Sequence, residues 1–287
     1  MTVAALQVRA LAQSQAAARS LAGRVATVIG LHRHGVTVAV AGLGGPIFVG
    51  APGQGLLPFH VVVRSDALDD LMCRGTVGAP VRFDLAARRA WALGIGRVGS
   101  VRALGLGMRR LGHWLREQPA CNGLGCSQAQ ALAEGGLVWR ALQAGSAADA
   151  ADTAGPPTDQ PAAELHRLIG RGAGSTPAGD DVLIGALAHA WLVDGAGSRL
   201  RAALLPVRET LGALTTPLGA TYLRAALDGS FGSHLVQLCR AVAVDDPRLA
   251  HRALRLAGHG ASSGIDTLVG FVAAHELRVK QQSSLCV

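Results

Sequence analysis

The sequence predicts an α+β protein, with a small and mostly antiparallel β-sheet or barrel in the N-terminal part and an α-helical C-terminal domain. Three observations predict it. Between residues 23 and 84, short runs rich in valine, isoleucine and threonine alternate with glycine- and proline-rich turns, as in a set of short strands. From residue 162 onward, apolar residues recur at helical spacing. Residues 148–161, rich in alanine, aspartate and proline, separate the two patterns.

These patterns divide the chain into two domains. We predict a β-rich N-terminal domain with flanking helices over residues 1–147, a linker over residues 148–161 and a helical domain over residues 162–287. The chain has 287 residues and is 49% hydrophobic, which suffices for one or two substantial cores.

The N-terminal domain begins with an apolar run, residues 2–20, in which Gln, Ser and Arg recur at helical spacing, and this predicts a helix. Short strands follow, with a polar turn at residues 32–35 between the first two. Because the connections are short, antiparallel pairing is favoured. The strands are predicted at residues 25–29, 36–40, 47–49 and 60–63, with two more within residues 75–84.

Helices are predicted in the remainder of the chain. The pattern becomes helical at residues 101–116 and continues as a broken helix through residues 120–147. Beyond the linker, glycine and proline punctuate a series of further helices. They are predicted at residues 162–169, 182–193, 198–214, 216–227, 233–242, 246–256 and 264–279.

A glycine-rich loop at residues 170–181 runs directly into an apolar helix. Thr176 and Pro177 predict the helix start, with a hydroxyl cap followed by proline at the first helical position. The first helical turn would then offer free N–H groups to a small anion. Asp180 and Asp181 follow in that turn. They could satisfy the N–H groups themselves, hold a cation or orient a substrate amide.

A weaker copy of this loop and helix occurs at residues 258–270. A shift of 85 residues aligns Asp181 with Asp266 and Gly185 with Gly270. We interpret the two segments as a degenerate internal repeat, which predicts two loops facing one site. Glycine at the equivalent helical positions predicts a close approach of the two helices.

Composition narrows the function classes. The net charge is +8, and every basic residue except Lys280 is arginine. The arginines are dispersed and aromatic residues make up only 3% of the chain, which argues against nucleic-acid binding and favours small anions. No apolar run has the length of a membrane span. The five cysteines form no CxxC motif, so we interpret them as free thiols of a cytoplasmic protein.

Two groups of possible metal ligands stand out. Cys121 and Cys126 have a spacing compatible with a metal site but lack nearby partners, and free thiols are the favoured interpretation. His32 and His34 would need a ligand from elsewhere in the chain, so we interpret them as exposed turn residues. The sequence identifies no cofactor, and a divalent cation remains an alternative.

The two motifs, Gly-x-Gly-x-x-Thr-Pro-x-Gly-Asp-Asp and Gly-His-x-x-Ser-Gly-x-Asp-Thr-Leu-x-Gly, resemble those of the AllH-like family, long catalogued as a domain of unknown function. The resemblance implies a subunit of an oxamate carbamoyltransferase in anaerobic allantoin breakdown, acting with two other subunits. One departure is visible, because Ala178 stands where the family often has serine.

The residues of the two motifs are the candidate site. His259 titrates near neutral pH and is a candidate general base, with Asp181 and Asp266 as further candidate catalytic groups. Loop N–H groups and an arginine could hold an oxyanion or phosphate. The candidate substrate- and anion-binding residues are Arg171, Gly172, Gly174, Ser175, Thr176, Gly179, Asp180, Ser263, Gly264 and Thr267.

Two functions are consistent with this site. The first is an enzyme subunit that transfers a carbamoyl group to or from small anionic amide compounds, with other subunits as partners. The second is a non-catalytic partner subunit, in which the motifs bind an effector or close helix ends. Capping of its own helix explains Asp266 about as well as ligand contact does. Self-association remains open, and neither nucleic acid nor membrane is an expected partner.

Overall fold

The computed structural model describes residues 5–42, 45–53, 55–85, 90–119, 122–147 and 160–284. They divide into two compact units, residues 1–93 and residues 94–287. The first unit is a β-barrel with two helices and the second is helical, so the predicted α+β class is confirmed.

Six strands close the barrel, in the order β5-β4-β3-β2-β6-β1 with β1 pairing back onto β5, and β7 extends the sheet beside β1. Four of the six pairings in the closed ring are antiparallel, as predicted, and β4–β5 and β1–β6 are parallel. The elements are β1 (Leu6–Ser14), α1 (Gln15–Leu21), β2 (Val25–His32), β3 (Gly35–Ala39), β4 (Ile47–Gly50), β5 (His60–Val63), α2 (Ser65–Arg74), β6 (Pro80–Asp84) and β7 (Ala90–Trp91).

The helix predicted over residues 2–20 is wrong for most of its length. Residues 6–14 form β1, and the helix α1 occupies only Gln15–Leu21. Val8 and Ala10 of β1 are buried in the core, and β1 closes the barrel by pairing with both β5 and β6. Ser14 ends the strand and caps α1, accepting a hydrogen bond from the backbone N–H of Ala17 at 3.0 Å.

The helical unit is built around two long helices, α7 (Ala178–Val193) and α13 (Ser263–Ser284), which pack along each other. Most residues in the first three turns of both helices are buried, so these helices are apolar on nearly all sides. The others are α3 (Val101–Arg116), α4 (Gln128–Ala131), α5 (Leu137–Ala147), α6 (Gln160–His166), α8 (Arg199–Leu204), α9 (Leu211–Leu214), α10 (Pro217–Leu227), α11 (Ser233–Ala243) and α12 (Leu249–Ala257).

Residues 162–280 contain no β-strand, as predicted, apart from the single bridge that Ser230 makes with Gly94. The boundary between the units falls at residues 93 and 94, earlier than the composition predicts. The reason is packing, because α3 places its apolar stripe against α11, α12 and α13. Most of the predicted linker, residues 148–159, lies outside the described residues, and Gln160 already begins α6.

Candidate functional site

The two repeats meet where α7 crosses α13. A Cβ atom added to Gly185 would lie 1.9 Å from the carbonyl oxygen of Thr267, and one added to Gly270 would lie 1.8 Å from that of Val182. These distances are far below van der Waals contact, so only glycine fits at either position. Thr267 follows Val182 by the same 85 residues that separate the two glycines, so the contact is reciprocal.

The helix starts of the two repeats also make similar close contacts. A Cβ atom on Gly179 would lie 1.9 Å from the carbonyl oxygen of Leu168, and one on Gly264 would lie 1.8 Å from that of Leu256. Each repeat therefore packs its first helical turn against the segment before its loop. The internal repeat predicted from the sequence is a structural repeat, with both loops at the same end of the helix pair.

Side chains of the two repeats touch at that end. The hydroxyl of Thr176 donates to the hydroxyl oxygen of Ser263 at 3.4 Å. Both hydroxyls also lie close enough to the carboxyl group of Asp181 to favour its charged form. Thr176 and Asp181 of the first motif thus lie beside Ser263 of the second, and the charge of Asp266 acts on Asp181.

Asp181 is the most unusual group in this cluster. Only 4% of the residue is exposed, and its Oδ2 has no hydrogen-bond partner among the described residues. Burial raises the pKa of its carboxyl group well above the usual value, and the nearby charges of Asp266 and Asp180 raise it further. The hydrogen bonds from Ser263 and Thr176 oppose this rise.

Asp266 is fully buried and better partnered. Both of its carboxylate oxygens lie near the backbone N–H of Gly123, at 2.9 and 3.2 Å, and the Ser262 side chain also hydrogen bonds to it. Burial raises the pKa of Asp266 to about 6, against these hydrogen bonds. It therefore changes protonation close to neutral pH, and it does more than cap its own helix.

Asp180 has a structural environment. Its Oδ1 accepts from the backbone N–H of Gly170 at 2.8 Å, and its Oδ2 accepts from the hydroxyl of Thr215. Burial raises its pKa as well. With both oxygens used, Asp180 joins the glycine loop to the segment before α10.

The predicted start of α7 is wrong by one residue. Pro177 is the N-cap, without a side-chain hydrogen bond, and Thr176 lies outside the helix because its hydroxyl is turned towards Ser263. The backbone N–H of Gly179 donates to the carbonyl oxygen of Arg171 at 2.8 Å. The helix start is therefore less available to an anion than the sequence suggests, because a loop carbonyl occupies one of its first donors.

The loop before α7 is exposed and strongly curved. Gly170, Gly172 and Gly174 have φ values of 73°, 108° and 98°, which residues with side chains rarely adopt. The side chains of Arg171 and Ser175 are exposed, and the carbonyl oxygen of Ser175 accepts from Thr216 at 2.6 Å. Alternating conformations of this kind can turn successive N–H groups to one side and form an anion-binding concavity.

His259 has surroundings of its own in the loop before α13. Its carbonyl oxygen accepts from the N–H of Gly264 at 3.0 Å, and its ring lies edge-on to that of His234, with centroids 6.5 Å apart. Burial lowers its pKa. Among the described residues no hydrogen bond or ion pair joins His259 to Asp180, Asp181 or Asp266, so the convergence of its imidazole with the three carboxylates on one pocket stays a prediction. Thr267 likewise directs its hydroxyl into its own helix, to the carbonyl oxygen of Ser263 at 2.8 Å.

A third segment completes the cluster, and the sequence reasoning missed it. A Cβ atom on Gly123 would lie 2.6 Å from Ser262 Oγ and 2.8 Å from both Ala178 Cβ and Asp266 Oδ2. Gly123 is therefore wedged between the two repeats. Asn122 shapes this turn by accepting from the N–H groups of Leu124 and Cys126 at 3.1 and 3.3 Å. The pattern Asn-Gly-x-Gly was the available signal.

Metal ligation finds no support in the part of the chain that the structure describes. It contains no group of three or more His, Cys, Asp or Glu side chains arranged to hold a metal ion. The sulfur of Cys126 lies within hydrogen-bonding distance of the Asn122 side chain, and Cys121 lies outside the described residues. His32 and His34 are exposed, as predicted. No helix among the described residues is long and apolar enough to cross a membrane.

The family comparison agrees with the motifs. The family model described as oxamate carbamoyltransferase subunit AllH matches residues 168–275, which contain both glycine–aspartate repeats. The match confirms the resemblance to the AllH-like family for this part of the helical unit. No solved structure matches the chain significantly.

Proposed function

We propose that the chain is a subunit of an oxamate carbamoyltransferase-like enzyme, acting on small anionic carbamoyl or amide compounds in purine- or allantoin-type nitrogen catabolism in the cytoplasm. The observation that carries the proposal is the buried pair Asp181 and Asp266. The two repeats bring this pair together inside the region that matches the AllH family. Three described cysteines, all free, agree with a reducing compartment.

The chemistry of carbamoyl transfer suits such a pair. In the synthetic direction, the amide nitrogen of oxamate attacks the carbamoyl carbon of carbamoyl phosphate. The bond from that carbon to the phosphate oxygen breaks, phosphate leaves and the amide nitrogen loses a proton. With a pKa of about 6, Asp266 is suited to accept this proton near neutral pH and to return it in the reverse direction.

The exposed loop supplies the anion-binding part of the proposal. Arg171 carries the positive charge, and the N–H groups between Gly172 and Thr176 supply donors for a phosphate or a carboxylate. Gly179, Asp180, Gly264 and Thr267 act structurally, by shaping the loops and helix starts. His259 makes no hydrogen bond to the three aspartates among the described residues, and this proposal gives it no catalytic part. The family description as a subunit supports further subunits that complete the active site.

Activity of the assembled complex tests this function. The chain would be co-expressed with the products of neighbouring genes, and carbamoyl transfer from carbamoyl phosphate to oxamate would be measured for the wild type and Asp266→Asn. We expect Asp266→Asn to lower kcat by about 100-fold or more without loss of assembly. Asp228→Asn, an exposed aspartate paired with Arg208, is the control and should retain activity.

A non-catalytic effector-binding subunit is the second candidate. One observation favours it: Asp180 and the first N–H groups of α7 are occupied by the protein itself, so much of the motif is structural. Full transferase activity of the Asp266→Asn complex, or of the partner subunits without this chain, would favour this second function over the first.

A further inference from the structure

We infer that the unpartnered oxygen of Asp181 is a specificity determinant that selects a primary amide over a carboxylate at one end of the substrate. The inference rests on the proposed function and deepens it, because oxamate and oxalate differ only in having –NH₂ or –O⁻ at that end. Discrimination between them is therefore discrimination between a neutral N–H donor and a negative acceptor.

The hydrogen bonds of the three aspartates show why Asp181 stands apart. Asp180 uses both oxygens within the protein, and both oxygens of Asp266 face the N–H of Gly123. Asp181 Oδ2 alone is buried without a partner among the described residues. A buried unsatisfied acceptor is costly, and native proteins rarely keep one, so this oxygen is expected to meet a donor when ligand binds.

The charge around Asp181 defines the chemistry of that donor. The carboxyl groups of Asp266 and Asp180 both act on it and disfavour further negative charge. A carboxylate or phosphate bound there would add a fourth acidic group. For a metal cation, the described residues provide no group of three His, Cys, Asp or Glu side chains arranged to hold it. An uncharged –NH₂ group supplies the missing donor without either difficulty.

Around Asp181, the side that faces the glycine loops is the more exposed one. Thr176 and Ser263 are half-buried and neutral, and their hydroxyl oxygens lie 3.4 Å apart beside the carboxyl group. Gly174 and Ser175 of the first loop and Gly123 of the third segment are exposed. An anionic tail of the ligand would thus lie towards Arg171, while its amide end enters between the two repeats.

The test compares binding of oxamate and oxalate by calorimetry, using the full chain both alone and assembled with its partner subunits. A polar site built for a particular donor can reject an analogue that lacks it by several orders of magnitude. We expect the wild type to prefer oxamate by about 100-fold. In Asp181→Asn the new side-chain amide can donate to a carboxylate, and the preference should fall to about 10-fold or less.

Asp180→Asn is the matched control, since it alters an adjacent buried aspartate whose oxygens are already used. It should lower the free energy of unfolding by about 1–3 kcal/mol while keeping the preference for oxamate. Asp181→Asn should be at least as stable as the wild type, because it removes a carboxyl group whose charged form is disfavoured by burial and by Asp266 and Asp180. Should it fail to fold, Asp181→Ser provides the same comparison.

The outcomes separate the two proposals. Wild-type protein that binds oxamate, together with variants at Asp181 that keep the full preference, would overturn this inference and leave the proposed function standing. Wild-type protein that binds neither compound in either form would overturn both. Wild-type protein that binds oxamate and oxalate equally would overturn the selectivity alone.

Discussion

His189 Nε2 on α7 lies 3.2 Å from His275 Nδ1 on α13, at the end of the helix pair away from the aspartates. His189 is almost fully buried, with its ring edge-on to Phe271. One nitrogen of the contact must donate and the other must accept, so the bond requires at least one neutral ring. Arg278, paired with Asp194, faces both rings, and Arg109 acts on His275.

This contact predicts loss of stability in acid. Burial, followed by the neighbouring positive charges, lowers the pKa of His275 to about 4 and that of His189 well below 6.5. The unfolded chain then binds more protons than the native one, so stability rises with pH between about 4 and 6.5 and is lost as pH falls. Between pH 7 and 4.5, the wild type should lose about 1–2 kcal/mol more than His275→Gln in urea unfolding.

His113→Gln serves as the control, because His113 is exposed on α3 beside Glu117. The difference in pH dependence between His275→Gln and His113→Gln gives the contribution of the buried histidine pair to the free energy of unfolding. Parallel pH curves for wild type and His275→Gln would contradict the prediction.

The crossing of α7 and α13 predicts that alanine is not tolerated at Gly185. The added Cβ atom would overlap the backbone of α13 and force the two central helices apart, which should destabilise the protein by about 3 kcal/mol or more. The free energy of unfolding in urea measures this effect.

Gly105→Ala is the matched control, since Gly105 lies inside α3 with only the end of the Arg109 side chain near its Cβ position. It should gain about 0.5–1 kcal/mol from helix propensity. Equal stability of the two variants would refute the close crossing.

The raised pKa of Asp266 predicts a pH dependence of stability opposite to that of the histidines. With its pKa raised to about 6, the native carboxyl group binds a proton more tightly than the unfolded chain does. Its contribution to stability is complete below about pH 4 and is lost as pH rises through 6. The stability of wild type relative to Asp266→Asn should therefore fall by about 2–3 kcal/mol between pH 4 and 7.5. The free energy of unfolding in urea would be measured for both proteins across this pH range, and the variant's value subtracted from that of the wild type. The subtraction removes the contribution of the histidines, which both proteins contain. A difference that does not change with pH would show that the pKa of Asp266 is normal.

The sequence alone determined the repeat and its register. The 85-residue shift aligned Gly179 with Gly264, Asp181 with Asp266 and Gly185 with Gly270, and the two pairs of glycines make corresponding close backbone contacts in the structure. The pattern was readable because a close backbone contact excludes every side chain and so leaves glycine at fixed spacing. Strands at residues 25–84 and helices beyond residue 162 were likewise predictable from local patterns.

Tertiary structure decided the rest. Residues 6–14 are a strand because two strands far along the chain, β5 and β6, pair with them, and alanine-rich sequence leaves that choice open. The difference between Asp180, Asp181 and Asp266 also depends on distant partners: Thr215 for the first, Gly123 for the last and none for Asp181 Oδ2 among the described residues. Sequence spacing identifies three acidic side chains, whereas only the packing of segments distant along the chain determines which oxygen is left to bind.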